Sequence, residues 1–76
     1  MIRFRLKELV ADKEFREGRR VSMEEISSAT GIHRTTLSRI ANQKGYNATT
    51  EVLDKLCAFF QVSIDKIAEY IEDPKE

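Results

Sequence analysis

Polar and basic side chains recur between residues 34 and 42 at the spacing of one helix face. Positions i, i+3, i+4 and i+7 lie on one face of a helix, and here they are Thr35, Ser38, Arg39 and Asn42, with Arg34 beside them in the first turn. Arginine pairs bidentately with guanine and asparagine with adenine, and short hydroxyls reach phosphate or the thymine edge. These residues therefore favour contact with base edges in a major groove.

The charge along this part of the chain supports the same interpretation. No Asp or Glu occurs between Glu25 and Glu51, whereas Arg34, Arg39 and Lys44 all lie in that interval. An ordinary solvated helix face, which usually mixes both signs, is the competing interpretation. A stretch that is basic and free of acids favours an anionic partner.

Residues on either side of the predicted helix are candidates for contacts with phosphate. His33 is the predicted N-cap, at the positive end of the helix dipole, and a phosphate contact and a purely structural cap are equally compatible with it. The loop after the helix offers Lys44, Tyr46 and Asn47 next to a glycine. This composition suits binding to a phosphate backbone, and a plain polar loop is the alternative.

Helix-start signals divide the chain into short helices. Ser22 and Glu25 have the spacing of a capping box, and the apolar residues around the cap have that of a hydrophobic staple. The staple spacing recurs at three further predicted caps: His33, Thr49 and Ser63. With an earlier apolar stripe from Leu6 to Lys13, five helices are predicted.

A turn separates the second predicted helix from the third. Gly31 stands where the second helix should end, and glycine adopts the left-handed cap without penalty. Burial of Leu37 and Ile40 then directs the polar face of the third helix outward. The last helix is predicted from an apolar stripe at Ile64, Ile67, Ala68 and Ile71.

The two ends of the chain carry a pattern typical of strands. Ile2, Phe4 and Leu6 alternate with Arg3 and Arg5, and residues 69–73 offer a short partner. The pattern indicates a two-stranded ribbon joining the termini, with helix as the alternative at both places.

Length and composition limit the kinds of protein this chain can form. Its 76 residues, 41% of them hydrophobic, suffice for one small domain, predicted over residues 1–76, but not for a buried active-site cavity. No apolar run approaches the roughly 20 residues of a membrane span. The charged start lacks the apolar core of a signal peptide, so a cytoplasmic protein is expected.

The single cysteine and the single histidine argue against catalysis and metal binding. Cys57 has no second cysteine for an internal disulfide or a metal cluster, and it falls on a predicted apolar stripe. His33 has no acidic partner or activated nucleophile in the pattern. No enzyme, metal site or cofactor is predicted.

The formal net charge of +0 conceals a split between the two halves of the chain. Residues 1–45 carry a net charge of +4 and residues 46–76 a net charge of −4. A chain without excess positive charge does not bind polyanions indiscriminately. Contact with nucleic acid is therefore predicted to be local to the basic half.

Around the second and third predicted helices, the chain resembles a known protein family. The segment SMEEISSATGIHRTTLSRIANQ is similar to the helix-turn-helix of the lambda-repressor/Cro-like (Xre-type) regulators, and the resemblance covers roughly residues 3–68. It implies an all-α, five-helix domain that binds duplex DNA sequence-specifically, with the helix from Arg34 to about Asn42 in the major groove. The family's phosphate-binding glutamine is replaced by Met23, and its contact is expected to pass to Ser22.

Two functional hypotheses follow. The first is a bacterial or phage transcriptional regulator that binds an inverted repeat as a homodimer, since one recognition helix covers only a few base pairs. The second is a protein-interaction module of the same fold, such as an antitoxin bound to a partner protein. The candidate dimer contact lies in the acidic half, at Val52, Phe59 and Tyr70–Ile71, and these residues alternatively complete the core.

Overall fold

The computed structural model describes residues 1–72, so residues 73–76 of the predicted domain lie outside the described part. Its elements are, in chain order, β1 (Ile2–Phe4), α1 (Leu6–Glu17), α2 (Met23–Thr30), α3 (Arg34–Asn42), α4 (Thr50–Phe60), a 3-10 turn (Ile64–Lys66) and β2 (Ala68–Tyr70). None of the helices in residues 1–72 is long and apolar enough to cross a membrane.

The prediction of a fifth α-helix is wrong. Four α-helices are present in residues 1–72, and the predicted fifth is replaced by the 3-10 turn and β2. The Ser63 hydroxyl makes no capping hydrogen bond and instead donates to the Asp65 carboxylate at 2.7 Å. The backbone of residues 68–70 pairs with β1 instead of continuing a helical ladder. Of the predicted stripe, Ile67 is fully buried, whereas Ile64 is 52% exposed.

The ribbon that joins the two ends of the chain is confirmed. Strands β1 and β2 are antiparallel, with Arg3 opposite Glu69 and Ile2 opposite Tyr70. The Ile71 amide donates to the Met1 carbonyl at 2.9 Å, which extends the pairing beyond β1. The Arg3 guanidinium donates to the Glu69 carboxylate at 2.7 Å across the strands.

The predicted caps of α2 and α4 are confirmed, and each explains where its helix begins. The Ser22 hydroxyl accepts from the Glu25 amide at 3.1 Å, and the Thr49 hydroxyl accepts from the Val52 amide at 3.1 Å. The second half of the predicted capping box does not form. The Glu25 carboxylate accepts two 2.8 Å bonds from Arg19 instead of reaching back to the cap.

The core lies where the four helices meet the inner face of the ribbon. Each helix contributes at least one fully or almost fully buried side chain, and so do the connections before α2 and before α3. The buried residues are Leu6, Val21, Ile26, Ile32, Leu37, Ile40, Leu56, Phe60 and Ile67. Because two of them belong to α3, this helix is held by the core along one side only.

Candidate nucleic-acid interface

The turn between α2 and α3 determines the direction in which α3 leaves α2. Gly31 has a φ of 78°, in the left-handed region, and its amide donates to the Ser27 carbonyl at 2.8 Å. A side chain with a Cβ is disfavoured at this φ. The predicted glycine cap is confirmed, and the next residue, Ile32, is already buried in the core.

Two hydroxyl groups of α2 tie this turn together. The Ser27 hydroxyl donates to the Ile32 carbonyl at 2.6 Å, and the Thr30 hydroxyl donates to the Ile26 carbonyl at 2.6 Å. The Thr30 hydroxyl also accepts from the Ile32 amide at 3.2 Å. These bonds satisfy backbone groups at the end of α2 and hold the start of α3 in place. The sequence interpretation assigned neither residue a role.

The predicted surface is present on α3. The helix spans Arg34–Asn42, with Leu37 and Ile40 directed into the core. The five predicted reading residues are exposed on its remaining surface: Arg34, Thr35, Ser38, Arg39 and Asn42. We refer to these five as the reading face. Four of them line a shallow depression together with Met23 at the start of α2.

An acidic side chain lies beside the reading face, although α3 itself contains no acid. Glu24, in the first turn of α2, brings a carboxylate oxygen to 4.0 Å from the Arg34 guanidinium. The stretch between Glu25 and Glu51 is free of acids along the chain, but the packing of α2 against α3 brings Glu24 close in space. Arg39 forms no ion pair within the described part of the chain, so its guanidinium is the freer of the two cations.

The Asn42 amide is engaged in its own helix. Its nitrogen donates to the Ser38 carbonyl at 3.0 Å, one turn earlier. Bidentate pairing with adenine uses both ends of an asparagine amide. Asn42 would have to release the Ser38 carbonyl in order to pair in this way.

The predicted phosphate contacts at the helix starts lie at the N-termini of α2 and α3. Ser22 and His33 are the N-cap residues of these helices, and both are exposed. The His33 side chain makes no capping hydrogen bond, which leaves its ring free of the helix backbone. Ser22 accepts from the backbone and retains its hydroxyl proton for a further acceptor.

The loop after α3 divides into exposed and packed residues. Lys44 and Asn47 are exposed, and Lys44 lies two residues after Asn42, the last residue of the reading face. Tyr46 is half-buried and packs against the core, with its amide donating to the Gln43 carbonyl at 3.3 Å. The Tyr46 ring therefore has a structural role, in addition to any contact made by its hydroxyl.

An ion pair closes the loop before α2. Arg19 donates two 2.8 Å bonds to the Glu25 carboxylate and lies 2.9 Å from Glu17. The hydrogen bond from Arg19 lowers the pKa of Glu25 below its ordinary value of 4.5. The Glu25 bond likewise raises the pKa of Arg19. The Arg19 guanidinium is therefore engaged by carboxylates of the same chain, although its side chain is exposed.

Two further observations concern Cys57 and metal binding. Burial, and secondarily the charge of Asp54, raises the pKa of the half-buried Cys57 thiol, which disfavours the reactive thiolate. Within residues 1–72, no three His, Cys, Asp or Glu side chains cluster so that they could hold a metal ion.

A comparison with protein-family models identifies this helical arrangement. The model of the Cro/C1-type HTH DNA-binding domain matches residues 5–73, which is nearly the whole chain. No curated protein matches the chain closely enough to be compared with it.

Proposed function

The chain belongs to the Cro/C1-type helix-turn-helix DNA-binding family, and we propose that it is a transcriptional regulator that reads duplex DNA sequence-specifically with α3 in the major groove. The reading face carries the proposal. Its arginines, hydroxyls and amide are exposed together on a helix whose opposite side is fixed in the core. Side chains of these types distinguish base pairs by the hydrogen-bonding groups that the major groove displays.

We propose a division of roles within the interface. The reading face contacts bases, with Arg39 as the principal guanine contact because no acid competes for it. Ser22, His33, Lys44, Tyr46 and Asn47 contact the phosphate backbone on either side. Phosphate contacts position the protein without carrying sequence information.

Selection of bound sites from random duplex DNA, followed by titration of the best site, tests this function. The expected result is a defined consensus that the protein binds far more tightly than a scrambled duplex. Affinity should fall steeply with salt as counterions are released from the phosphates. Recovery of random sequences after repeated selection would contradict sequence-specific reading.

We further propose that the DNA-bound form is a homodimer on an inverted repeat. Residues 1–76 then act as one DNA-binding domain, and two recognition helices enter successive major grooves about 34 Å apart. A neutral chain has little diffuse attraction to phosphate, so a second half-site adds affinity as well as specificity.

The end of the ribbon is the best candidate for the dimer contact. Tyr70 is 72% exposed, and its cross-strand partner Ile2 is 46% exposed. Phe59, in contrast, stacks edge-on against Phe60 at 4.9 Å between ring centroids and lies under the Lys13 ammonium at 5.1 Å. Phe59 is therefore part of the packing within one chain, which favours the Tyr70 side of the originally predicted contact.

Sedimentation of Tyr70→Asp tests this contact. The variant should remain folded and be monomeric at the concentration at which the parent is dimeric, because a charge replaces an exposed apolar ring at the contact. Ile64→Asp is the matched control, since Ile64 is another exposed apolar residue but lies off the ribbon. Dimerisation of Tyr70→Asp at the parental concentration would exclude the ribbon contact, and a 1:1 complex of the parent with its best site would exclude the dimer.

The alternative is a protein-interaction module of the same fold, such as an antitoxin whose main partner is a protein. The exposed cations and amide of α3 favour DNA over this alternative, because exposed apolar residues are absent from the reading face. Co-purification of a stoichiometric protein partner, together with failure to select any DNA site, would favour the alternative.

A further inference from the structure

The outer face of α1 carries an apolar residue that the DNA-binding proposal does not use. Phe15 is 87% exposed, more than any other large apolar side chain in residues 1–72. It lies on the side of α1 opposite the core residue Leu6. The sequence interpretation gave this residue no role.

The residues around Phe15 form one continuous helical stripe. Positions i, i+3, i+4, i+7 and i+8 share a helix face, and starting from residue 8 all five are exposed. We call them the outer face of α1: Glu8, Ala11, Asp12, Phe15 and Arg16. The first half of this stripe is acidic and its second half is basic, with the two apolar side chains between the charges.

We propose that the outer face of α1 docks against the same face of a second copy of this chain, as an antiparallel helix pair about a two-fold axis. Antiparallel pairing places the acidic half of one helix against the basic half of the other. Asp12 then faces Arg16 of the second copy, and the two Phe15 rings meet near the axis. A two-fold contact must be complementary to itself, and this charge order satisfies that condition.

The charges also argue against DNA as the occupant of this face. Asp12 would repel a phosphate backbone, and Phe15 would gain nothing from it. Glu8 is already paired with Arg3 at 3.0 Å, so it has no free charge to offer to a phosphate or a cation. The Asp12 and Arg16 side chains already approach each other within one helix at 3.7 Å. Both side chains are exposed on the outer face, where each can form an ion pair with a second copy.

The contact uses residues other than Ile2 and Tyr70 of the ribbon end, and it is weaker than a permanent interface. One helix face on each side buries less surface than the roughly 1,200–2,000 Å² of stable interfaces. On DNA, bound copies are held at high effective concentration, so a weak contact suffices to couple neighbouring sites. This last consequence rests on the proposed DNA binding, whereas the helix pair itself does not.

Complementary charge reversals in the free protein test the pairing. Two variants are made in the Tyr70→Asp background, so that the ribbon does not contribute to association. Asp12→Arg alone and Arg16→Asp alone should each associate at least tenfold more weakly than the Tyr70→Asp protein, because like charges then face each other across the axis. An equimolar mixture should recover association as a heterodimer, since each chain now supplies the charge that the other lacks. Sedimentation equilibrium measures all four samples.

The mixture distinguishes pairing between copies from any effect within one helix. Neither single variant regains its internal 3.7 Å pair when mixed, so only a contact between chains restores association. Lys55→Glu is the control, because Lys55 forms a comparable pair with Glu51 at 3.7 Å on α4; its association should equal that of the Tyr70→Asp protein.

A second variant tests the apolar part of the face. In the same Tyr70→Asp background, Phe15→Ser should fold normally, because the ring is almost fully exposed. It should associate at least tenfold more weakly than the Tyr70→Asp protein. The proposal is overturned if the mixture associates no better than its components, if Phe15→Ser associates like its parent, or if the Tyr70→Asp protein stays monomeric at millimolar concentration. In the last case the face serves a different protein or no partner.

Discussion

Arg34 and Arg39 are both arginines on the same helix face, yet their surroundings differ. Arg34 has the Glu24 carboxylate at 4.0 Å, whereas Arg39 meets no acid within residues 1–72. A guanidinium must exchange any protein partner for the DNA when it binds a base. We therefore expect Arg39 to be the stronger of the two proposed base contacts, a distinction that residue types and spacing alone do not make.

Alanine substitution checks this ranking. Arg39→Ala should cost about 1–3 kcal/mol in specific binding, which is typical of a bidentate base contact. Its melting temperature should not change, because the side chain is exposed. Arg34→Ala should cost less, and Thr35→Ala should also weaken binding without unfolding. Titration of the selected duplex measures each loss.

The Glu24 carboxylate provides the matched control for this prediction. Glu24→Gln should strengthen binding, because it removes a negative charge that lies beside the reading face and would face phosphate. If Arg34, Thr35 and Arg39 variants all bound the selected site like the parent, α3 would not be the recognition helix.

At the scale of elements, the turn between α2 and α3 depends on one backbone conformation. Gly31 has a φ of 78° and no neighbouring atom within 4 Å of the position a Cβ would occupy. Gly31→Val should therefore destabilise the fold through backbone strain alone, by about 1–2 kcal/mol or more. Thermal unfolding measures the loss.

Gly31→Asn separates strain from crowding in this experiment. Asparagine tolerates the left-handed region better than valine, so its melting temperature should fall between those of the parent and Gly31→Val. An unchanged melting temperature for Gly31→Val would show that the left-handed turn is not required.

The ion pair between Arg19 and Glu25 ties the loop before α2 to its first turn. Because Arg19 lowers the pKa of Glu25 in the folded chain, the ionised pair adds stability at neutral pH. That contribution is lost as the pH falls from about 4.5, the ordinary value, through the lower folded value. Glu25→Gln should therefore flatten the acid dependence of the unfolding free energy below about pH 5.

Urea unfolding at several pH values from 7 to 3 measures this dependence. Glu24→Gln is the control, because it removes the adjacent carboxylate, which meets only Arg34 at the 4.0 Å limit; its acid dependence should stay close to that of the parent. Parallel curves for the parent and Glu25→Gln would contradict the assignment.

The helix starts could be predicted because their signals are local in the sequence. The fifth α-helix was predicted wrongly because its segment pairs with a strand at the other end of the chain. Ser22 and Thr49 cap their helices through bonds to residues three positions later, so the sequence contains the whole interaction. The stripe at Ile67 and Ala68 suits a helix equally well, but β1, more than sixty residues away, pairs with this segment. Pairing over that separation leaves only a weak trace in local spacing.

In the candidate site, too, some features could be predicted from local sequence and others could not. The exposure of the reading face follows from the period of α3 and was predicted. The approach of Glu24, the internal bond of Asn42 and the closure of the turn by Ser27 each depend on how elements pack or on which rotamer a side chain adopts. Residue types and spacing do not contain this information.

At the scale of the whole molecule, the two faces of the domain are proposed to serve different partners. The reading face and its flanking cations contact DNA, while the ribbon end and the outer face of α1 contact other copies. The outer face of α1 lies in the same basic first half of the chain as the reading face, so this division depends on which way each face points and not on the split of charge between the two halves. Of these proposed contacts, the one that gives sequence specificity is α3 in the major groove.

Methylation protection of guanine N7 tests that contact most directly, because N7 is exposed only in the major groove. On its selected duplex, the parent protein should protect guanines in two patches about one helical turn apart, and Arg39→Ala should lose protection at one guanine in each patch while phosphate contacts persist. A protein that binds its selected duplex tightly yet leaves every N7 reactive would contradict major-groove reading by α3.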